Sequence, residues 1–359
     1  MQILGTFWAY RNITAKPEKK SVYPPLSILK PIKGLEEELV QNLNSFIDLD
    51  YPEYEIILCL DSDKDAAYET LNQFILSNPE FPIRLFIGAD IIGPNPKVNN
   101  LSRAYHEAKN DWILISDSNV RVEKDYLKRM AANLTENVGV VTSVVVGKGA
   151  KEFGGDLESI FLNTFYARWM WFCQKVGNPT VIGKSMLFSK KEAERFGGLS
   201  ILGGYIAEDY MAGEAFQFLG KEVRLSGQPV VQWIGHYRFK DFWMRHLRWG
   251  RIRRSQAPLL TLFEPIFYST ISFFVGAFIC QQFEISNFYF SILHFSIFAL
   301  GDFLLVKAEN AFNIRLIPAW IFRELLAIPL FIHICSSTHV KWRGSTLKIR
   351  PGGLVTNVH

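Results

Sequence analysis

The chain has 359 residues, too many for one small module and enough for a catalytic domain with an appendage. Hydrophobic residues make up 48% and aromatic residues 14%, and the mean hydropathy is positive, which argues against an enzyme that meets water on every side. A net charge of only +4 carries little information by itself; the basic residues gather at 245–254 and 341–350, on either side of the most apolar stretch, as juxtamembrane charge does.

Residues 1–10 are apolar but far too short to span a bilayer, and they lack a secretory pattern; they read as an interfacial foot or the stump of an anchor. From residue 23 to about 226 strand and helix signals alternate. A short apolar run at 26–29 leads into Lys30-Pro31-Ile32-Lys33-Gly34, followed by a helical stretch at 36–49. Residues 55–60 form a continuous apolar run, the pattern of a strand buried on both faces, and Asp61 closes it. A helix at 66–76, a strand at 83–87 and a helix at 98–108 follow; residues 112–116 are a second buried strand, closed by Asp117. This alternation predicts a parallel sheet with helices on both faces. In open sheets of that kind ligands bind beyond the carboxyl ends of the strands, where Asp61 and Asp117 fall.

Residues 239–254 mix aromatic and basic side chains on an amphipathic helix suited to the headgroup zone. Beyond residue 265 the chain turns apolar. Segment 265–283 has no charge, 285–306 has only Asp302, and 316–335 carries Arg323-Glu324 at its middle with Pro318 and Pro329. With the catalytic domain on the cytoplasmic face, the loop at 281–287 lies outside without Lys or Arg, and Lys307 and Arg315 lie inside. A third full crossing puts the basic tail outside, against that rule, and sinks two charges at mid-bilayer. Two readings stand side by side: an interfacial or re-entrant third segment, or a kinked third span with an internal Arg323–Glu324 pair. The division expected is an extension at 1–22, a catalytic domain at 23–238, an interfacial helix at 239–258, transmembrane or re-entrant segments at 259–336 and a basic tail at 337–359. Cys59, Cys173, Cys280 and Cys335 show no CxxC spacing and read as buried thiols in a reducing compartment.

Four features carry chemistry: Asp61-Ser62-Asp63, Asp117-Ser118-Asn119, Glu208-Asp209-Tyr210 opening a helix after Gly203-Gly204, and Arg245-His246-Leu247-Arg248-Trp249. Asp61 or Asp63 can equally cap the next helix. Glu208 and Asp209 can be helix-start acids favoured by the macrodipole. Lys97 precedes a helix in an Asn-Pro-Lys loop, where the helix N-terminus favours anionic oxygens, with Asn99 and Asn100 beside it. His236 is a secondary candidate. There is no zinc-type cluster, P-loop, dinucleotide fingerprint or nucleic-acid motif.

In these motifs and their order the chain resembles the ceramide glucosyltransferase family, including bacterial hopanoid-type relatives, among inverting glycosyltransferases of GT-A fold. The resemblance runs from about residue 26 to 343. It is carried by Ile28-Leu29-Lys30-Pro31-Ile32-Lys33-Gly34, Asn95-Pro96-Lys97-Val98-Asn99-Asn100-Leu101, Gly183-Lys184-Ser185-Met186, Glu208-Asp209-Tyr210, the Arg-x-x-Arg-Trp element, Arg323-Glu324-Leu325-Leu326 and Trp342-Arg343-Gly344. It implies a Rossmann-like α/β fold, a mixed and mostly parallel sheet flanked by helices, with C-terminal membrane helices. It implies transfer of glucose or N-acetylglucosamine from a UDP-sugar to a lipid hydroxyl such as ceramide or a hopanoid polyol.

By the same resemblance Pro31, Lys33, Asp61, Lys97, Asn99 and Asp117 are expected to bind the nucleotide-sugar. Asp117 and Asn119 are expected at a divalent metal, Mg²⁺ or Mn²⁺. Position 119 departs from the commoner Asp-x-Asp, since an amide oxygen is a poorer ligand than a carboxylate. Asp209 is expected as general base; Glu208, Arg245, Arg248, Trp249 and His236 are expected around diphosphate and acceptor, with Arg251, Arg253 and Arg254 toward the membrane surface. The partners implied are the donor, a lipid acceptor and the bilayer, with no nucleic acid. Two rival functions fit the same motifs: a processive polysaccharide synthase, and a membrane-bound nucleotide-sugar binder without turnover.

Overall fold

The computed structural model describes residues 1–15, 20, 22–342 and 345–357. Arg343 and Gly344 of the C-terminal motif lie outside the described residues. The chain divides into two compact units: one made of residues 14–145 and 173–233, the other of 1–13, 146–172 and 234–359. Residues 146–172, read from the sequence as part of the catalytic domain, group with the helical unit. Beyond the end of a strand at Ala150 they are helical from Phe153, and an apolar helical pattern serves a buried layer of helices as well as it serves a sheet.

Eight strands, within the first unit but for the last residues of the sixth and the eighth, are β1 Leu26–Ile32, β2 Tyr54–Leu60, β3 Ile83–Ile87, β4 Trp112–Ile115, β5 Val120–Arg121, β6 Val138–Ala150, β7 Met186–Ser189 and β8 Glu222–Gly235. Among the described residues they form one sheet in the order β3-β2-β1-β4-β7-β6-β8-β5. The half from β3 to β4 is parallel. β7 then runs antiparallel to both β4 and β6, and β5 antiparallel to β8. The parallel half matches the continuous apolar runs read from the sequence, because strands covered on both faces need no polar alternation. The β2 residues Ile56, Ile57, Leu58, Cys59 and Leu60 are all buried.

Pro31 lies inside β1, where a missing N–H is normally costly. Pairing of β1 with β4 ends at Leu29, so proline enters only after one side of the strand has become free. Asn100, on the Pro96–Glu107 helix, donates from Nδ2 to the carbonyls of Ile32 (3.2 Å) and Cys59 (3.0 Å), tying the ends of β1 and β2 together. Those two strand ends deliver Lys33 and Asp61.

The second unit is helical. The helices Asn287–Ala308 and Leu316–Cys335 have the length and composition to cross a membrane; at 1.5 Å per residue they extend about 33 and 30 Å. Large apolar side chains such as Phe288, Leu293, Leu300, Ile321 and Leu325 are exposed along them. Leu316–Cys335 is one continuous helix through Pro329. The break falls earlier: Pro258–Phe267 and Ser269–Gln282 meet at a 72° bend.

The charges in these helices are internally matched. Asp302 pairs with Arg168 and with Arg323 (2.8 Å), and accepts from the Trp320 indole (2.7 Å). Arg323 also pairs with Glu324 through its Nε (2.9 Å). The other Glu324 oxygen accepts from the backbone N–H of Ser269 (2.8 Å) and Thr270 (3.4 Å), donors of the first turn of the Ser269–Gln282 helix, just past the bend, that have no acceptor within the helix. Burial of these charges is tolerable because each has an opposite partner and hydrogen bonds. Asp302→Ala removes the acceptor shared by two buried guanidinium groups. It is expected to destabilise the protein by about 3–5 kcal/mol, read as an earlier thermal transition in detergent; Asp302→Glu should recover part of the loss.

Candidate active site in the sheet unit

The site forms at the carboxyl ends of β1, β2 and β4 and on the chain that follows them. Asn95 caps the Pro96–Glu107 helix: its Oδ1 accepts from the N–H of Lys97 (2.9 Å) and Val98 (3.3 Å), with Pro96 in the first helical turn where its missing N–H costs nothing. The same Asn95 donates from Nδ2 to Glu208 Oε2 (3.0 Å) and to the Tyr205 carbonyl (2.8 Å). One asparagine therefore starts the helix that carries Lys97 and anchors the helix that opens at Glu208.

Lys97 is the centre of the cluster. Its Nζ lies 2.9 Å from Asp117 Oδ1 and 2.9 Å from Glu208 Oε1, and donates to the Gly183 carbonyl at 3.2 Å. Asp209 accepts through Oδ2 from the Gly183 N–H (2.7 Å) and through Oδ1 from the Tyr210 N–H (2.8 Å). Asp117 Oδ2 faces Lys184 Nζ at 3.3 Å, and Asn119 Oδ1 accepts from the same nitrogen at 2.6 Å. Lys30, buried under the face of Phe46, donates to the Asp117 carbonyl (3.2 Å) and to Ser116 Oγ (3.2 Å).

The electrostatics separate the two aspartates. Burial works to raise the Asp117 pKa, but the ammonium groups of Lys97 and Lys184 outweigh it and hold the carboxyl below the usual carboxylate range. Burial raises the Asp209 carboxyl to about 6; the negative charge of Glu208 adds to this, and Lys97 and two backbone N–H groups oppose it. Burial also works against the charge on Lys97, yet Asp117, Glu208 and Asp209 together hold its pKa above the ordinary lysine value. Burial draws Lys30 down to about 7, against the attraction of Asp117 and Glu36.

The other expected residues sort clearly. Asp61 pairs with Lys33 at 2.6 Å, beyond the adjacent ends of β2 and β1. The turn into the Tyr68–Leu76 helix is closed by Asp65, which accepts from the N–H of Ala67 (2.9 Å) and of Gly34 (3.0 Å). Asn99 holds the preceding loop, accepting from the N–H of Ile92 (3.0 Å) and Gly93 (3.1 Å) and donating to the Gly93 carbonyl (2.9 Å). Its side chain is thus engaged locally. Lys184 and Lys30 stood in motifs but were given no role; Lys184 lies 67 residues from Asp117, and strand alignment alone joins them. Among the described residues no group of three or more His, Cys, Asp or Glu side chains gathers as a metal site.

Arg245, Arg248, Trp249 and His236 belong to the helical unit. The Arg245 guanidinium lies over the Trp249 ring (4.4 Å to its centroid) and its Nε is 3.3 Å from the fully buried Glu158. The other Glu158 oxygen is 2.9 Å from His246 Nε2. Burial lowers the His246 pKa, with Glu158 opposing. Glu158, 88 residues from His246, had no sequence signal. His236 is exposed and sits 3.0 Å from Glu152. Arg251, Arg253 and Arg254, expected toward the membrane surface, have partners within the helical unit. Arg253 pairs with Glu264 (2.8 Å), Arg251 donates to the His339 carbonyl (2.7 Å) and Arg254 to those of Ile334 (3.0 Å) and Ser337 (2.8 Å). The His333 carbonyl, which Arg251 also reaches (3.2 Å), and that of Ile334 lie in the last turn of the Leu316–Cys335 helix, where water would otherwise have to satisfy them.

Gly183 is a sensitive point. A Cβ there would lie 2.7 Å from Lys97 Nζ and 3.2 Å from both Asp209 Oδ2 and Glu208 Oε1. Gly183→Ala should leave the melting temperature within a few degrees of the parent while displacing the lysine. Turnover should fall at least about tenfold, a loss of about 1.4 kcal/mol.

Comparison with known proteins places the chain in a family and a fold. The family model described as glycosyl transferase family 21 matches residues 2–355. Ceramide glucosyltransferase 1 of Caenorhabditis elegans is 28% identical, over 99% of this chain and 78% of its own length. Ceramide glucosyltransferase of Komagataella phaffii is 26% identical, over 97% of this chain and 88% of its own. A mannosyltransferase from Pyrobaculum calidifontis, solved in complex with GDP-Man and Mn²⁺, shares the fold with a TM-score of 0.50 at 16% identity, covering 93% of each chain.

Proposed function

The chain belongs to glycosyl transferase family 21, and from that premise we propose that it moves a hexose, glucose or N-acetylglucosamine, from a UDP-sugar to a membrane-lipid hydroxyl with inversion at the anomeric carbon. The chain is a hexosyltransferase of GT-A fold with two helices able to span a membrane. The observation that carries the reading is the opposite tuning of two neighbouring carboxylates. Asp117 is held ionised by two lysines, and Asp209 is held at about 6, poised to take a proton near neutrality.

Inverting transfer needs one carboxylate to deprotonate the acceptor hydroxyl as it attacks. Asp209 is suited to that step because two backbone N–H groups fix its orientation while burial keeps its basicity up. Glu208, bound to Lys97 and Asn95, is committed to structure and to raising the Asp209 pKa. Lys97 donates to the diphosphate region, and Asp61 with Lys33 and Pro31 frames the nucleotide. The acceptor is ceramide or a related polyol lipid, supported by the names of the relatives. The catalytic unit faces the cytoplasm, supported by the absence of Lys and Arg at 281–287 and their presence at Lys307 and Arg315.

Mg²⁺ or Mn²⁺ is the proposed cofactor. Asp117 Oδ2 and Asn119 Oδ1 already converge on one cation, the Lys184 ammonium, so this pair of hard oxygen donors fits a divalent ion. When bound, such an ion supplies Lewis-acid neutralisation of the diphosphate leaving group.

The test is incubation of the purified protein with UDP-glucose, UDP-N-acetylglucosamine and a total lipid extract, read by mass spectrometry; no glycolipid from any donor would sink the proposal. Asp209→Asn should lower kcat by about 10²–10⁴-fold and leave UDP affinity nearly unchanged, and near-normal turnover would remove Asp209 from the mechanism. Because the base must be ionised, kcat/KM should rise with pH through an acid limb near 6. In Glu208→Gln that limb should move to lower pH, since a neighbouring negative charge has gone.

A further inference from the structure

Lys184 stands where a metal-dependent site would place its cation. It sits in the Gly183-Lys184-Ser185 turn just before β7. β7 runs antiparallel to β4 with Met186 opposite Ile115, so continuing the register two residues brings position 184 opposite position 117. The Lys184 side chain is only 9% exposed. Its ammonium is shared between Asn119 Oδ1 (2.6 Å) and Asp117 Oδ2 (3.3 Å), the two protein oxygens that fit a divalent ion. The remaining Asp117 oxygen is held by Lys97 at 2.9 Å. Both carboxylate oxygens are thus neutralised by the chain's own cations, and the third residue of the Asp-Ser-Asn turn is an amide that adds no negative charge to attract another.

A divalent ion entering this site must compete with a buried ammonium for the same two oxygens. Mg²⁺ is demanding about geometry and sheds water reluctantly, so it competes poorly for a carboxylate already bridged by two lysines. A nucleotide diphosphate meets positive charge here with or without the ion. Lysine is well suited to that role, as a compact point charge with three donors. We propose that Lys184 is a donor-binding residue that takes over part of the charge neutralisation otherwise left to the metal. Nucleotide binding then survives metal removal, and Lys184 and the divalent ion compete for Asp117 and Asn119. This rests on the nucleotide-diphosphate reading of the site.

The full-length protein in detergent is titrated with UDP by calorimetry, once with excess EDTA and once with Mn²⁺. Binding of Mn²⁺ alone is followed by electron paramagnetic resonance. Wild type should lose less than about tenfold in UDP affinity on chelation, equivalent to about 1.4 kcal/mol. Lys184→Met should depend on Mn²⁺ for UDP binding, losing it with EDTA, and should bind Mn²⁺ alone more tightly than wild type. Lys184→Arg, which keeps the charge, should retain binding in EDTA. The wild-type and Lys184→Arg titrations decide the question even if Lys184→Met fails to fold. UDP binding by wild type that vanishes on chelation overturns the role of Lys184 and leaves the proposed function standing. No UDP binding under either condition overturns both.

Discussion

The ammonium of Lys97 lies 2.9 Å from a carboxylate oxygen of Asp117 and 2.9 Å from one of Glu208, with the Asp209 carboxylate close enough to raise its pKa further. Three carboxylates drawn together out of water repel one another and lose hydration. Lys97, on the first turn of a capped helix, is attracted to all three and offsets much of that repulsion, with Lys184 adding a second positive charge beside Asp117. The position of that helix is fixed in turn by Asn95, which caps it and grips Glu208, and by Asn100, which fastens it to the ends of β1 and β2. The sheet, the helix and the acidic turn of the Glu208–Phe218 helix are all held in register by what this one cation requires.

The same requirement organises the helical unit at a different place. Asp302, Arg168, Arg323 and Glu324 come from three distant stretches of chain and form one buried chain of alternating charge. Such a network contributes little net stability compared with well-packed apolar side chains. It does fix which helix faces stand together, because any slip leaves an unpaired charge in an apolar layer. Glu324 adds a specific duty, since its free oxygen caps the helix that restarts after the bend at residue 268. Glu158 plays a parallel part for Arg245 and His246, holding both from beneath.

The structure keeps two neighbouring acids different. Asp117 and Asp209 face a shared lysine, yet one is held ionised well below the normal range and the other is raised to about 6. The difference arises from partners. Asp117 has two ammonium groups, whereas Asp209 has two backbone amides and an adjacent carboxylate. Opposite tuning of this kind lets one acid serve as a fixed charge while its neighbour exchanges a proton.

The sequence alone determined the order of strands and helices in the parallel half, because buried strands and amphipathic helices announce themselves through local apolar patterns. It also located Asp61 and Asp117 at strand ends, and the ordered motifs carried the family. Tertiary structure decided what required distant parts of the chain to meet. Lys184 faces Asp117 only because β7 pairs antiparallel with β4 in one register. Residues 146–172 join the helical unit because their apolar faces find helices there. Arg323 and Glu324 sit within an unbroken helix because Asp302, Thr164 and the backbone of Ser269 supply their partners. A local pattern records how far a segment must be buried; which charge meets which is set by register and packing, and these are properties of the whole chain.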